Sequence, residues 1–192
     1  MKNFSNQELI HGIVNGNIAA SNAFHDRYSR RIARWVWRML GTDREHDDIV
    51  QQVYTAIFKS IKNVKTPHSL DSWVNQVTIV TIKYEIRKRM TRRARFFYRE
   101  NGELDDLCER NSPFKQSHIK IFYNILDSMP ADDRIVFTLR YMEEYKIDEI
   151  ANIVGYSPST VKRRLDSAES LFTKLASTDF RLVSLVEEYH AV

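Results

Sequence analysis

Between Ile147 and Leu171 the chain reads IDEIANIVGYSPSTVKRRLDSAESL, two helical patterns with only three residues between them. Ile147, Ile150, Ala151 and Val154 recur at the spacing that gives a short helix one apolar face. Gly155 can take the positive φ that reverses the chain cheaply, and Tyr156 can pack beneath the turn. Ser157 supplies an N-cap oxygen, and Pro158 falls at the first helical position, where its missing N–H costs nothing. Val161, Leu165, Ala168 and Leu171 form the inner face of the second helix. Ser159, Thr160, Lys162, Arg163 and Arg164 are left at its exposed start. This is helix-turn-helix geometry, in which the start of the second helix enters the major groove of DNA. Arginine there can bond guanine edges bidentately, and hydroxyls can hold phosphates. An ordinary helical hairpin with a solvated basic face fits the same pattern.

The rest of the chain reads as all-α. Five glycines and four prolines in 192 residues leave little room for the turns of a β fold. Ser5 and Glu8 have capping-box spacing, and the helix they open stops near Gly16. A second helix is predicted from about Ile18 to Leu40, with Phe24, Tyr28, Trp35, Val36 and Met39 inward. Gly41 stops it, and Thr42 to Glu45 has the spacing of another capping box. The third helix, from about Arg44 to Lys62, carries an apolar stripe from Ile49 to Ile61, with Asp47, Asp48, Gln51 and Gln52 off it. Lys62 to Ser69, with Pro67, reads as a loop, and Leu70 opens a long helix that runs into RKRMTRRARFFYR.

Residues 100–117, ENGELDDLCERNSPFKQS, are polar and mostly acidic and suit a flexible linker. The expected organisation is two small helical domains, 1–98 and 118–176, joined by an acidic linker over 99–117 and followed by a tail, 177–192, that could form an amphipathic helix.

The formal net charge is only +4, but its placement is uneven. Between Lys83 and Arg99 lie eight lysines and arginines against the single acid Glu85, with Phe96, Phe97 and Tyr98 among them. Such a stripe suits a phosphate backbone with aromatic stacking on unpaired bases; a solvated helix end whose aromatics join the core is the plainer reading. A membrane-surface helix fits less well, because the stripe lacks a broad apolar face. The single cysteine, Cys108, excludes an intrachain disulfide framework and suits a reducing compartment. No apolar run reaches the length of a membrane span and the N-terminus lacks a signal peptide's apolar core, so a cytoplasmic protein without membrane insertion is expected. The six histidines show no metal-ligand spacing and there is no phosphate-cradling glycine loop, so neither an enzyme, a cofactor nor a metal is expected.

Three stretches occur in a telling order: EHDDIVQQVYTAIFKSI, then SLDSWVNQV followed by RKRMTRR, then DSMPADDRIVFTLRYMEEYKIDEIANIVGYSPSTVKRRL. Together, over about residues 6–176, they resemble the extracytoplasmic-function sigma factors, two-domain initiation factors of bacterial RNA polymerase. The resemblance implies that Asp47, Asp48, Gln51 and Gln52 dock on the clamp helices of the core polymerase's largest subunit, with the flap as the second contact. It implies that the loop holding Lys62, Lys65 and His68 captures a flipped base of the −10 element, and that Asn75, Gln76, Lys83, Arg87 and Lys88 contact the same region. Trp73 matches the family's tryptophan and reads mainly as core. Ser157, Ser159, Thr160, Lys162, Arg163 and Arg164 would serve the −35 element. Promoter DNA, core polymerase and an anti-sigma protein are the implied partners, with no small-molecule substrate.

The chain departs from the family in places. Ile79 and Val80 stand where an Arg-Asn pair is common, Gln51-Gln52 where Gln-Glu is common, and Asp166 and Glu169 where His and Arg are frequent. A stand-alone helix-turn-helix regulator explains the C-terminal hairpin but leaves the acidic helix and the second basic stripe without work. A module that sequesters another factor is a third class.

Overall fold

The computed structural model describes residues 4–41, 45–64, 66–99 and 115–177, which form eight α-helices and two 3-10 turns. In chain order these are α1 (Asn6–Val14), α2 (Ile18–Leu40), α3 (His46–Ser60), the turns Ile61–Asn63 and Pro67–Ser69, α4 (Leu70–Arg99), α5 (Lys115–Ser128), α6 (Ala131–Tyr141), α7 (Ile147–Val154) and α8 (Pro158–Ala176).

Local signals set most of these boundaries. The Ser5 hydroxyl accepts from the Glu8 amide at 3.2 Å, and the Glu8 carboxylate accepts from the Ser5 amide at 2.8 Å, closing the expected box. Asn17 caps α2 by accepting from the amides of Ala19 and Ala20. At the end of α2, Gly41 sits at φ 80°, and a Cβ there would meet the Tyr123 ring of α5 at 3.2 Å. A side chain would be both strained and crowded at that position.

The expected box at 42–45 rests on Thr42, which lies outside the described residues; the approach to α3 is described from Glu45 onward. That helix begins at His46 with Glu45 in the cap position and no side-chain cap bond. The Glu45 carboxylate lies 3.4 Å from Arg89 and 3.6 Å from Arg92 of α4. α3 also ends at Ser60, and the turn Ile61–Asn63 takes the residues assigned to its end. α5 begins at Lys115, so the last three residues assigned to the linker are helical.

Apolar faces then assemble. Leu9, Phe24, Tyr28, Ile32, Trp35, Ile49, Val53, Ile57, Val74 and Ile82 are buried together. Trp73, expected mainly in the core, is only partly buried and packs at its edge. The same cluster continues without a break into α6, α7 and α8 through Val136, Leu139, Ile150 and Val161. α4 packs against α6 and α7, and α2 against α6. A second, smaller cluster joins α5, α6 and α8 around Leu126, Met129, Phe137 and Ala168. The two helical groups therefore lie directly on one another, which no periodicity in the chain announced.

Candidate nucleic-acid interface

α7, Gly155 and α8 build the expected hairpin. Gly155 takes φ 73°, and its amide bonds the Ala151 carbonyl at 2.9 Å, ending α7. The Ser157 hydroxyl accepts from the Thr160 amide at 3.2 Å and lies 3.0 Å and 2.9 Å from the hydroxyls of Ser159 and Thr160. Val161, Leu165 and Ala168 are buried, which leaves Lys162 and Arg163 exposed at the head of α8. Arg164 turns inward. Its guanidinium donates to Asp133 at 2.8 Å and stands 3.7 Å from Asp132. Glu169 also turns inward, accepting a hydrogen bond from the Tyr141 hydroxyl, while Asp166 is exposed.

On α4, Gln76 is exposed and Asn75 is half-buried. Lys88 reaches 3.1 Å to Glu85, a buried carboxylate of its own helix that Arg89 also approaches at 3.5 Å. Lys83 donates to the Tyr156 hydroxyl at 2.9 Å and lies 2.5 Å from Asp132; Arg87 lies 3.6 Å from the other Asp132 oxygen. The Tyr156 hydroxyl in turn donates to Asp132 at 2.6 Å. One carboxylate at the start of α6 therefore gathers cations from both basic helices. Burial alone would raise the Asp132 pKa, but the bonds from Lys83 and Tyr156 outweigh it and hold the carboxyl below its ordinary value. Lys83 is the mirror case, with burial lowering its pKa and the same bonds raising it further. Asp132 thus adds stability that is lost only as pH falls through its depressed pKa. The Lys83 contribution is lost only as pH rises through its raised one. The pair is indifferent to pH between those limits.

Sequence reasoning missed two further groups. Val80 and Tyr84, 65% and 66% exposed, stand one turn apart on the face of α4 that carries Gln76 and Arg87. The signal was available, since two large apolar residues at i and i+4 beside basic residues do not continue the buried stripe of Val74, Thr78, Ile82 and Ile86. The second is Glu143, just after α6, whose side chain is 2% exposed. It is held by Arg34 at 2.9 Å, Arg38 at 2.9 Å and the Trp35 indole N–H at 3.2 Å, all on α2.

Asp47, Asp48, Gln51 and Gln52 lie on the exposed side of α3, away from these ion pairs. Lys62 and His68 are exposed on the segment between α3 and α4; Lys65 lies outside the described residues. That segment is tied to α1, where the Asn6 side-chain amide donates to the Pro67 carbonyl at 3.0 Å. Between them runs an open cleft lined by Glu8, His11, Val14, Lys62, Val64 and Pro67. Among the described residues no group of acids, histidines or cysteines is arranged to hold a metal, and no helix is long and apolar enough to cross a membrane.

Residues 24–93 match the family model for sigma-70 region 2, and residues 119–168 match that for sigma-70 region 4. The RNA polymerase sigma factor SigV of Bacillus subtilis is 30% identical over 126 residues, spanning 65% of this chain and 71% of that protein. The ECF RNA polymerase sigma-E factor of Escherichia coli K12 is 22% identical, spanning 84% of this chain and 88% of its own. In shape, the chain is similar to CnrH in its complex with the cytosolic domain of CnrY, with a TM-score of 0.60 at 16% identity over 92% of this chain and 99% of that one. It is also similar to the sigma factor RpoE in complex with the anti-sigma factor NepR from Bartonella quintana, with a TM-score of 0.55 at 16% identity over 81% of this chain and 98% of that one.

Proposed function

Since the chain belongs to the extracytoplasmic-function sigma factors of the sigma-70 family, regulatory subunits that let RNA polymerase recognise promoters and begin transcription, we propose which of its residues carry each part of that work. The capped hairpin of α7 and α8 reads the −35 element, with Lys162 and Arg163 on bases and phosphates and the hydroxyls of Ser157, Ser159 and Thr160 at the backbone. The observation that carries this is the exposed, basic, Ser157-capped start of α8 above a buried inner face.

The exposed face of α4, with Gln76, Arg87 and Lys88, meets the −10 region, and Asn75 and Lys83 lie beside it. Tyr84 and Val80 supply an apolar platform there, on which an unpaired base gains about 1–3 kcal/mol by stacking. The cleft beside Lys62, with the loop through Lys65 and His68, receives the extruded base. Asp47, Asp48, Gln51 and Gln52 dock the clamp helices of core polymerase. α1 to α4 and α5 to α8 act as two working units, close to the division at 1–98 and 118–176, inside the cytoplasm. The solved relatives were captured with CnrY and with the anti-sigma factor NepR, which supports an anti-sigma protein as a further partner of this chain.

The first experiment is capture by bacterial core polymerase followed by run-off transcription on genomic fragments. Stable capture with discrete new transcripts is the expected result, whereas operator binding as a free dimer would restore the stand-alone regulator. A sharper test uses Lys162→Glu with Arg163→Glu, two exposed positions outside the internal ion pairs. Transcription from a promoter that depends on its −35 element should fall at least about tenfold, since each good base contact is worth about 1–3 kcal/mol. Core binding should be unchanged. Undiminished transcription would remove α8 from the −35 assignment.

A further inference from the structure

Of the two positions on α4 where an Arg-Asn pair is common in the family, only one faces out. Ile79 is buried in the core, whereas Val80 is exposed, and so is Tyr84 one turn further on. Gln76 and Arg87 continue the same outward stripe at its two ends. The opposite side of the helix, with Val74, Thr78, Ile82 and Ile86, is buried and anchors α4 without them. Neither Val80 nor Tyr84 is among the apolar side chains packed on either core cluster. Two large apolar groups therefore stand in water between a side-chain amide and a guanidinium.

The charge around the pair favours a nucleic acid over an apolar protein surface. From Lys83 to Arg99 the one acid is Glu85, and it is buried, so the exposed face is positive. Among the bases, thymine alone carries an apolar group, the C5-methyl, at its major-groove edge. Guanine, adenine and cytosine offer polar groups there, and Val80 would strip water from them without replacing a hydrogen bond. Thymine O4, next to the methyl, accepts hydrogen bonds, whereas the cytosine N4 amino group donates them. The Arg87 guanidinium can only donate, so it suits thymine and is mismatched to cytosine.

We propose that Val80 and Tyr84 make this chain select a thymine in the −10 region, with the base stacked on the Tyr84 ring and its C5-methyl against Val80. Cβ atoms at i and i+4 of a helix stand about 5–6 Å apart, roughly the span of a pyrimidine from ring to methyl. The two side chains divide the work. Tyr84 holds a base by its face, which every base has, and Val80 tells thymine from the others. The selection rests on the assignment of the α4 face to the −10 region proposed above, and adds to it the base that this face accepts.

The test uses the full chain with core polymerase on a promoter recovered by the run-off experiment. Each thymine of the −10 region's non-template strand is replaced singly by deoxyuridine, which removes only the C5-methyl. At one position the yield at limiting protein should fall about fourfold, the worth of one buried methyl group. In Val80→Ala that position should lose its sensitivity, so that thymine and deoxyuridine templates perform alike. Tyr84→Ala should lower the yield from both templates. Recovered promoters with no thymine in common in the −10 region overturn the proposal. So does the lack of any position sensitive to deoxyuridine, or a sensitivity that survives in Val80→Ala. Gln76→Glu, which puts a carboxylate on the same face, checks the −10 reading separately. A lower yield there with no deoxyuridine effect sinks the thymine alone, whereas an unchanged yield takes this face of α4 away from DNA. Loss of core affinity in Val80→Ala with Tyr84→Ala would make the pair a protein-docking face and overturn the proposal.

Discussion

Reversing both carboxylates at the head of α3, Asp47→Lys with Asp48→Lys, should lower the affinity for core RNA polymerase by about 100-fold or more. The reasoning starts from exposure. The Asp47 side chain is 96% exposed and touches only His46, and Asp48 is likewise at the surface, so neither contributes to the core of its own chain. An exposed acidic patch whose one ionic contact among the described residues is with the adjacent His46, on a molecule rich in arginine, suits a basic partner surface. Placing like charges across such an interface costs several kcal/mol, and each 1.4 kcal/mol is a factor of ten. Two acids in the first turn also complement the helix dipole, so a slight drop in thermal stability accompanies the change. The readout is equilibrium binding to labelled core polymerase, with circular dichroism as the check on folding. Affinity within about threefold of the parent would take the docking role away from this face.

Trp35→Ala should be the most damaging single change to stability. Trp35 is 1% exposed, its ring meets Tyr145 edge-on at 6.1 Å, and its indole N–H donates to Glu143. Truncating a buried tryptophan removes about 3–5 kcal/mol, a large part of the roughly 5–15 kcal/mol that holds a typical protein folded. The urea midpoint should drop accordingly. Trp35→Phe separates the two contributions, because it keeps most of the packing and loses one hydrogen bond worth about 1 kcal/mol. A loss below about 1 kcal/mol in Trp35→Ala would mean that the pocket collapses around the gap.

The hairpin was legible because every device in it is local. Gly155, Ser157 and Pro158 act within one turn of their own positions, and the apolar spacing of α7 and α8 needs no distant partner. The capping box at Ser5 was legible for the same reason. Glu45 marks where that reasoning stops, because Arg89 and Arg92, which lie beside its carboxylate, are more than forty residues away. The same limit hid the ion pairs between the two helical groups. Asp132 and Asp133 read as ordinary first-turn acids, which they are, and nothing nearby in the chain marks them as receivers of Lys83 and Arg164. Glu143 finds Arg34 across 109 positions. Arg164 was placed among the DNA contacts by its neighbours in the chain, whereas its own reach puts it on Asp133.

The apolar cluster that runs unbroken from α4 into α6, α7 and α8 ties the two helical groups into one thermal unit. Burial of apolar surface is driven by water entropy near room temperature and carries a large heat-capacity change. Heat should therefore melt both groups in one transition, and a core substitution in either group should lower the midpoint read by a probe in the other.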